Sequence, residues 1–183
     1  MNRELDILCV EDNELDFMLM ERELRKMNRP FRIDWVMSRE AFIDALDKKI
    51  PDIILCDHNL PEFSSNAAFE IIQAKELVVP FILVTATINE EEAVRQVNLG
   101  IDDYILKDRL QRLPSAVLRA VKLSAALKDK ERFFRELVAK ERRFRGLVEQ
   151  SHESVILCNS ELKVQYVSPA FTNIFLQKTT YED

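Results

Sequence analysis

The sequence predicts an α/β chain organised around a doubly wound parallel sheet. Three observations carry that reading. Four short apolar runs, Asp-Ile-Leu-Cys-Val at 6–10, Asp-Ile-Ile-Leu-Cys at 52–56, Pro-Phe-Ile-Leu-Val at 80–84 and Asp-Asp-Tyr-Ile-Leu at 102–106, are continuous in the way of strands buried on both faces. Stretches with helical spacing separate them, and repeated βα units imply right-handed crossovers within one parallel sheet. Each run ends in residues suited to phosphate or cation chemistry: Glu11 and Asp12, then Asp57, then Thr85, then Lys107. Sheets of this kind place ligands outside the carboxyl ends of their strands, so these side chains are expected to meet at one edge.

The elements follow in order. After the first strand, residues 14–27 carry Leu15, Met18, Leu19 and Leu24 at helical spacing, which predicts a helix with these as its apolar positions. Residues 31–36 are rich in aromatic and β-branched side chains and read as a short strand. Ser38 suits the N-cap of a helix carrying Ala41, Phe42, Ala45 and Leu46, and Pro51 closes it. The strand to Asp57 is followed by a predicted helix over 67–77, and the strand to Thr85 by one over 89–99. Gly100 then fits the left-handed position that commonly ends a helix.

Residues 114–150 read as one long helix, rich in Lys, Arg and Glu. Val117, Val121, Leu127, Phe134, Leu137, Phe144 and Leu147 give it an apolar stripe, interrupted at Lys130, Glu131 and Glu141. That pattern predicts a dimerising coiled coil in preference to a helix that frays into a charged linker. From about 141 the character changes, with a predicted strand over 154–158, an Asn-Ser-Glu turn, a strand over 163–167 and a helix opened by Pro169.

Composition narrows the function. Lys and Arg sum to 26 and Asp and Glu to 32, a net charge of −6, which argues against a nucleic-acid grip driven by overall charge. Charges interrupt every apolar run, so no signal peptide and no membrane span is expected, and a cytoplasmic location follows. Cys9, Cys56 and Cys158 leave an odd count without metal spacing, and the first two sit in strand patterns as small core residues. His58 and His152 lack the clustering of a zinc site. Glycine occurs only at 100 and 146, which removes Gly-rich phosphate loops and a kinase ATP lid from this stretch.

Three carboxylates, a hydroxyl and an ammonium suit a hard divalent cation and a phosphoryl group. Val-Glu-Asp-Asn at 10–13, Leu-Cys-Asp-His-Asn-Leu-Pro at 55–61, Val-Thr-Ala-Thr at 84–87 and Tyr-Ile-Leu-Lys at 104–107 resemble, in that order, motifs of the bacterial response regulator receiver domain. They correspond to its acidic pair, its phosphoacceptor loop, its switch hydroxyl, and its switch aromatic with lysine, and the resemblance runs from about residue 4 to 125. It implies a flavodoxin-like sheet of order 2-1-3-4-5, with Asp57 accepting a phosphoryl group from the phosphohistidine of a histidine kinase or phosphotransfer protein. Asp12, Asp57 and the Asn59 backbone carbonyl would bind Mg²⁺, with Glu11 acting through water. Lys107 would pair with Asp57 and then with the phosphate, Thr85 would donate to it, Ala86 would leave the approach open, and Tyr104 would rotate inward on phosphorylation.

Arg-Phe-Arg-Gly-Leu-Val-Glu-Gln-Ser at 143–151 and Val-Gln-Tyr-Val-Ser-Pro-Ala-Phe at 164–171 resemble the start of a PAS sensor domain, about a third of that fold. The expected organisation is a receiver over 1–125, a helical linker over 126–150 and a PAS fragment over 151–183. So short a fragment would expose Val155, Ile156, Tyr166, Phe171 and Phe175, which predicts a homodimer built through 115–183.

Two departures from the receiver pattern stand out. Glu62, Phe63, Ser64 and Ser65 follow Pro61 where a glycine is usual, and Asp108 follows Lys107 where proline is common. A haloacid dehalogenase-like phosphatase would use similar residues, but it needs a second acid two positions beyond its nucleophile. Here that position is Asn59, which cannot supply a proton. A receiver fold used only as an unphosphorylated scaffold conflicts with the intact set of groups, whereas the receiver portion of a hybrid sensor histidine kinase is compatible with it.

Overall fold

The computed structural model describes residues 3–61, 63–86, 100–150 and 153–176, with side chains of the last helix described to 173. The helix expected over 89–99 lies outside the described residues, as do Glu62 and the Phe175 side chain. The chain divides into two compact units, Met1–Leu127 and Lys128–Asp183.

The first unit alternates β1 (Leu5–Val10), α1 (Glu14–Leu24), β2 (Phe31–Val36), α2 (Arg39–Lys48), β3 (Ile53–Asp57), α3 (Ser65–Ala74), β4 (Phe81–Thr85) and β5 (Asp103–Leu106). A 3₁₀ turn, Lys107–Arg112, leads into α4 (Leu113–Glu149), which runs on into the second unit. The strands form a five-stranded parallel sheet in the order β2-β1-β3-β4-β5, as expected. Side chains alternate between its faces. Leu5, Ile7 and Cys9 of β1 join Ile53, Leu55, Ile82, Val84 and Ile105 beneath α1 and the start of α4, while Leu8 and Val10 join Ile54, Cys56, Phe81 and Leu83 beneath α2 and α3. Burial of both faces explains why the strands read as unbroken apolar runs.

The helices correct several expectations. Leu15, Met18 and Leu19 do not face the core: all three are exposed, and α1 instead packs Phe17, Met20 and Leu24 against the sheet. The sequence of α1 offers two apolar stripes, and the one bearing the aromatic ring is buried, where Phe17 stacks on Trp35 at 4.6 Å between centroids. The helix also ends at Leu24 rather than at 27, the next backbone N–H groups closing short bonds from Lys26 to Glu23 and from Met27 to Leu24.

α3 starts at Ser65, because the Ser64 hydroxyl caps it by accepting from the Ala67 N–H at 3.2 Å. It stops at Ala74 rather than 77, since Glu76 takes φ +54° and the N–H groups of Glu76 and Leu77 donate to Gln73 and Ile72, a Schellman ending built without glycine. The Ser38 cap of α2 holds as expected, accepting from Ala41 N–H at 3.2 Å. Gly100 has φ +99°, and a Cβ there would meet the Phe69 ring at 3.4 Å.

In the second unit, the long helix is followed by an antiparallel pair, β6 (Ile156–Cys158) and β7 (Val164–Val167), and by α5 (Pro169–Leu176). Both strands are shorter than expected: β6 lacks its first two residues, and β7 starts one residue later, where the connecting turn is held by the Asn159 side chain accepting from the Glu161 and Lys163 N–H groups at 3.0 and 2.9 Å. Buried Ser168 accepts from Val155 N–H at 3.0 Å and ties the start of α5 to the strand pair. Ile156, Leu157 and Val164 are exposed.

Candidate functional site

Parallel register brings the chemistry to one edge. Val10 pairs with Cys56, Asp57 with Val84 and Thr85 with Leu106, so Glu11, Asp57, Thr85 and Lys107 all emerge at the carboxyl ends of adjacent strands. One carboxylate oxygen from each of Glu11, Asp12 and Asp57 lies within 4.8 Å of the others. Glu11 and Asp57 are buried and Asp12 is exposed, so the cluster opens to solvent on one side.

Lys107 supplies the counter-charge. Its Nζ donates to Asp57 Oδ2 at 2.8 Å, to Asp16 Oδ2 at 2.6 Å and to Glu11 Oε1 at 3.2 Å. Burial alone would lower the Lys107 pKa, but the bonds to Asp16, Asp57 and Glu11 outweigh it and hold the ammonium charged. For Glu11 the balance goes the other way. Burial, aided by the Asp57 charge, pushes its pKa up to about 7 against the opposing pull of Lys107. Glu11 Oε2 lies 2.9 Å from Lys107 Nζ but outside hydrogen-bonding geometry, so this buried oxygen has no hydrogen-bond partner.

Surrounding residues fix these groups. The Asn13 side chain caps α1, accepting from the Leu15 and Asp16 N–H groups at 2.9 and 3.3 Å, and the Asn13 backbone N–H donates to Glu11 Oε1 at 3.2 Å. Trp35 Nε1–H donates to the Glu11 carbonyl at 2.7 Å, locking the turn that carries the acidic pair. The Asn59 N–H donates to Asp57 Oδ1 at 3.3 Å. His58 Nδ1 lies 2.9 Å from Ser65 Oγ, which ties the acceptor loop to the start of α3. In the stretch beyond Pro61 that departs from the receiver pattern, Phe63 is buried against Phe42 at 5.9 Å between ring centroids and anchors the loop.

Of the expected residues, Glu11, Asp12, Asp57 and Lys107 form one cluster. Thr85 is fully buried at the end of β4, Ala86 is exposed beyond it, and Tyr104 is half-buried against the cluster under α2 and α3. Asp16 and Trp35 were not anticipated. The spacing of four between Asp12 and Asp16 across a helix start was the available signal for the former, while Trp35 acts through its indole N–H from a different strand. Burial pushes the Cys9 and Cys56 thiols up, consistent with core packing. A cavity of about 420 Å³ between α2 and β1–β2, bordered by Arg32, Asp34 and Lys48, includes none of the site residues.

A strand-end acid cluster crossed by a lysine on a 2-1-3-4-5 sheet defines a receiver-type protein, and comparison with known sequences agrees. The profile of the response regulator receiver domain family matches residues 7–118, and the chain belongs to that family. It is 25% identical to the probable methanogenesis regulatory protein FilR2 of Methanothrix harundinacea over 109 residues, 55% of this chain and 70% of that one. It is 28% identical to the transcriptional regulatory protein ZraR of Salmonella typhimurium over 111 residues, 58% of this chain but only 25% of the relative. Among solved structures, the receiver domain of a putative LuxO repressor from Vibrio parahaemolyticus superposes with TM-score 0.63 at 24% identity, covering 69% of this chain and 95% of that one. The receiver domain of the sensor histidine kinase PA1611 from Pseudomonas aeruginosa, with magnesium in its active-site cleft, gives TM-score 0.57 at 26% identity, covering 65% and 98%. Among the described residues no helix is long and apolar enough to cross a membrane.

Proposed function

We propose that this chain receives a phosphoryl group on Asp57 from the phosphohistidine of a histidine kinase or phosphotransfer protein and passes the change to its helix and second unit. The observation that carries the reading is the Lys107 ammonium held between Asp57, Glu11 and Asp16, with the buried Glu11 Oε2 ion-paired to it but accepting no hydrogen bond. An Asp57 carboxylate oxygen would bond to phosphorus as the P–N bond breaks and its electron pair returns to the imidazole. Lys107 would then follow the new charge onto the phosphoryl oxygens, and the Thr85 hydroxyl would donate to them.

The donor set fits Mg²⁺, a hard cation that takes oxygen ligands. Asp12, Asp57 and the Asn59 backbone carbonyl would hold it, with Glu11 acting through water, and it would supply charge neutralisation to the carboxylates and to the phosphoryl oxygens. The exposed Leu15, Met18 and Leu19 lie on α1, the helix that carries Asp16, and suit docking of a helical phosphodonor. Tyr104 would report the switch from its half-buried position. We assign 1–125 to the receiver, 126–150 to a helical linker and 151–183 to the start of a PAS domain, on the strand-turn-strand-helix order that the second unit adopts. Exposed Ile156, Leu157 and Val164, together with the apolar stripe of α4, support a homodimer through this region. The likeness to PA1611 favours a second setting, the receiver portion of a hybrid sensor histidine kinase.

Binding of a phosphoryl analogue such as fluoroberyllate tests the site. Wild-type protein is expected to bind it only with Mg²⁺ present, and Asp57→Asn not at all. Equal binding by the variant, or by wild type in EDTA, overturns the reading.

A further inference from the structure

The apolar face of α4 repeats more regularly than its sequence first suggests. Leu127, Lys130, Phe134, Leu137, Glu141 and Phe144 recur at alternating spacings of three and four, the a and d positions of a heptad. The helix is unbroken across them, and Leu127, Phe134, Leu137 and Phe144 are each between 51 and 66% exposed. Val148, next in the pattern, is already buried within the second unit, so the open seam ends at Phe144.

This seam is self-complementary in only one direction. A two-fold axis between Arg135 and Glu136 would lay Phe134 on the partner's Leu137, Lys130 on the partner's Glu141, and Leu127 on the partner's Phe144. Every apolar position then meets an apolar one, and each polar interruption meets its opposite charge. A parallel pairing would instead set Lys130 against the partner's Lys130 and Glu141 against the partner's Glu141, two like-charge layers inside the seam. It would also bring Lys140 beside the partner's Arg145 at the flanks. Lys130 has no acid three or four residues away on its own helix, whereas Glu141 bonds Arg145 at 2.5 Å. An antiparallel pairing would give the lysine charge a carboxylate across the seam, which Glu141 would share with Arg145 of its own helix.

Resting on the proposed homodimer, we infer that two copies of this chain associate through an antiparallel coiled coil over 127–144, its register fixed by reciprocal Lys130–Glu141 pairs. The overlap is about 27 Å long at the rise of an α-helix. An isologous contact of this kind closes on itself and stops at two copies.

The full chain, with exposed Cys158 replaced by serine, carries the test. In this background F134C and L137C are oxidised separately and mixed: the antiparallel register gives a disulfide-linked dimer chiefly in the mixture, a parallel one gives it in each variant alone. Charge reversal adds a second readout by light scattering across concentration. K130E and E141K should each weaken the dimer at least about tenfold, and the K130E/E141K double variant should recover most of the loss, as paired charges require. Dimers that crosslink like with like, or single reversals without effect, overturn the antiparallel register while leaving the homodimer in place. A wild-type mass that stays monomeric at every concentration overturns the homodimer itself.

Discussion

Replacing Lys107 with methionine gives the sharpest test of how the site is held together. The side chain is largely buried and its Nζ bonds three carboxylates at 2.6, 2.8 and 3.2 Å, two of which belong to buried residues. Methionine keeps the apolar stem and removes only the charge. Breaking a buried ion pair from one side typically costs about 3–5 kcal/mol. Asp16 and the open side of the cluster admit water, which places this variant near the lower end, at about 3 kcal/mol. For a unit of this size that corresponds to a fall of roughly 10 °C in Tm. Trp35 is the only tryptophan and donates to the Glu11 carbonyl, so its fluorescence reports unfolding of the first unit directly.

The sign with pH is also fixed. Without the ammonium, the Glu11 carboxyl loses the partner that opposes its rise and is raised further, and a group raised on folding loses its contribution as pH rises through the folded value. In the wild type Glu11 is already pushed up to about 7. The deficit of the variant is therefore largest at about pH 8 and shrinks toward about pH 5, and Mg²⁺ reduces it at the higher pH. A variant that unfolds at the wild-type midpoint in EDTA throughout that range would refute the role given to Lys107.

Mg²⁺ binding should share this dependence: because Glu11 must lose its proton, apparent affinity falls by up to about tenfold per pH unit below about 7, accompanied by proton release in calorimetry. Affinity that stays flat down to about pH 5.5 would contradict it. Glu76→Gly relieves a left-handed residue at the end of α3 and should stabilise the first unit by about 0.5–1 kcal/mol, read from urea unfolding; a loss of stability would show that the Glu76 side chain contributes more than its backbone strain costs. The Tyr104 ring resonances should shift when a phosphoryl analogue binds with Mg²⁺, and an unchanged ring environment removes Tyr104 from the switch.

The sheet was legible because its strands are buried on both faces: continuous apolar runs, closed by Asp57, Thr85 and Lys107, mark the strands and their carboxyl ends together. The acid cluster followed from those positions, since parallel register converts strand order into convergence. What escaped the sequence depends on choices between near-equal alternatives. α1 carries two apolar stripes, and only packing of Phe17 onto Trp35 decides that Leu15, Met18 and Leu19 face outward. α3 ends at a left-handed glutamate, a position that sequence reasoning reserves for glycine. Asp16 reaches Lys107 because the Asn13 cap turns the first helical residues back toward the strand ends, and this geometry has no composition signature.

Asp57 alone is expected to take the phosphoryl group. Incubation of the intact chain with a small phosphodonor and Mg²⁺, followed by mass spectrometry of protein and peptides, measures it directly. One phosphoryl group per chain is expected, labile to acid, mapping to Asp57, absent in EDTA and absent from Asp57→Asn. Phosphorylation of Asp57→Asn at the wild-type rate, or a stable group at any other residue, would contradict the account.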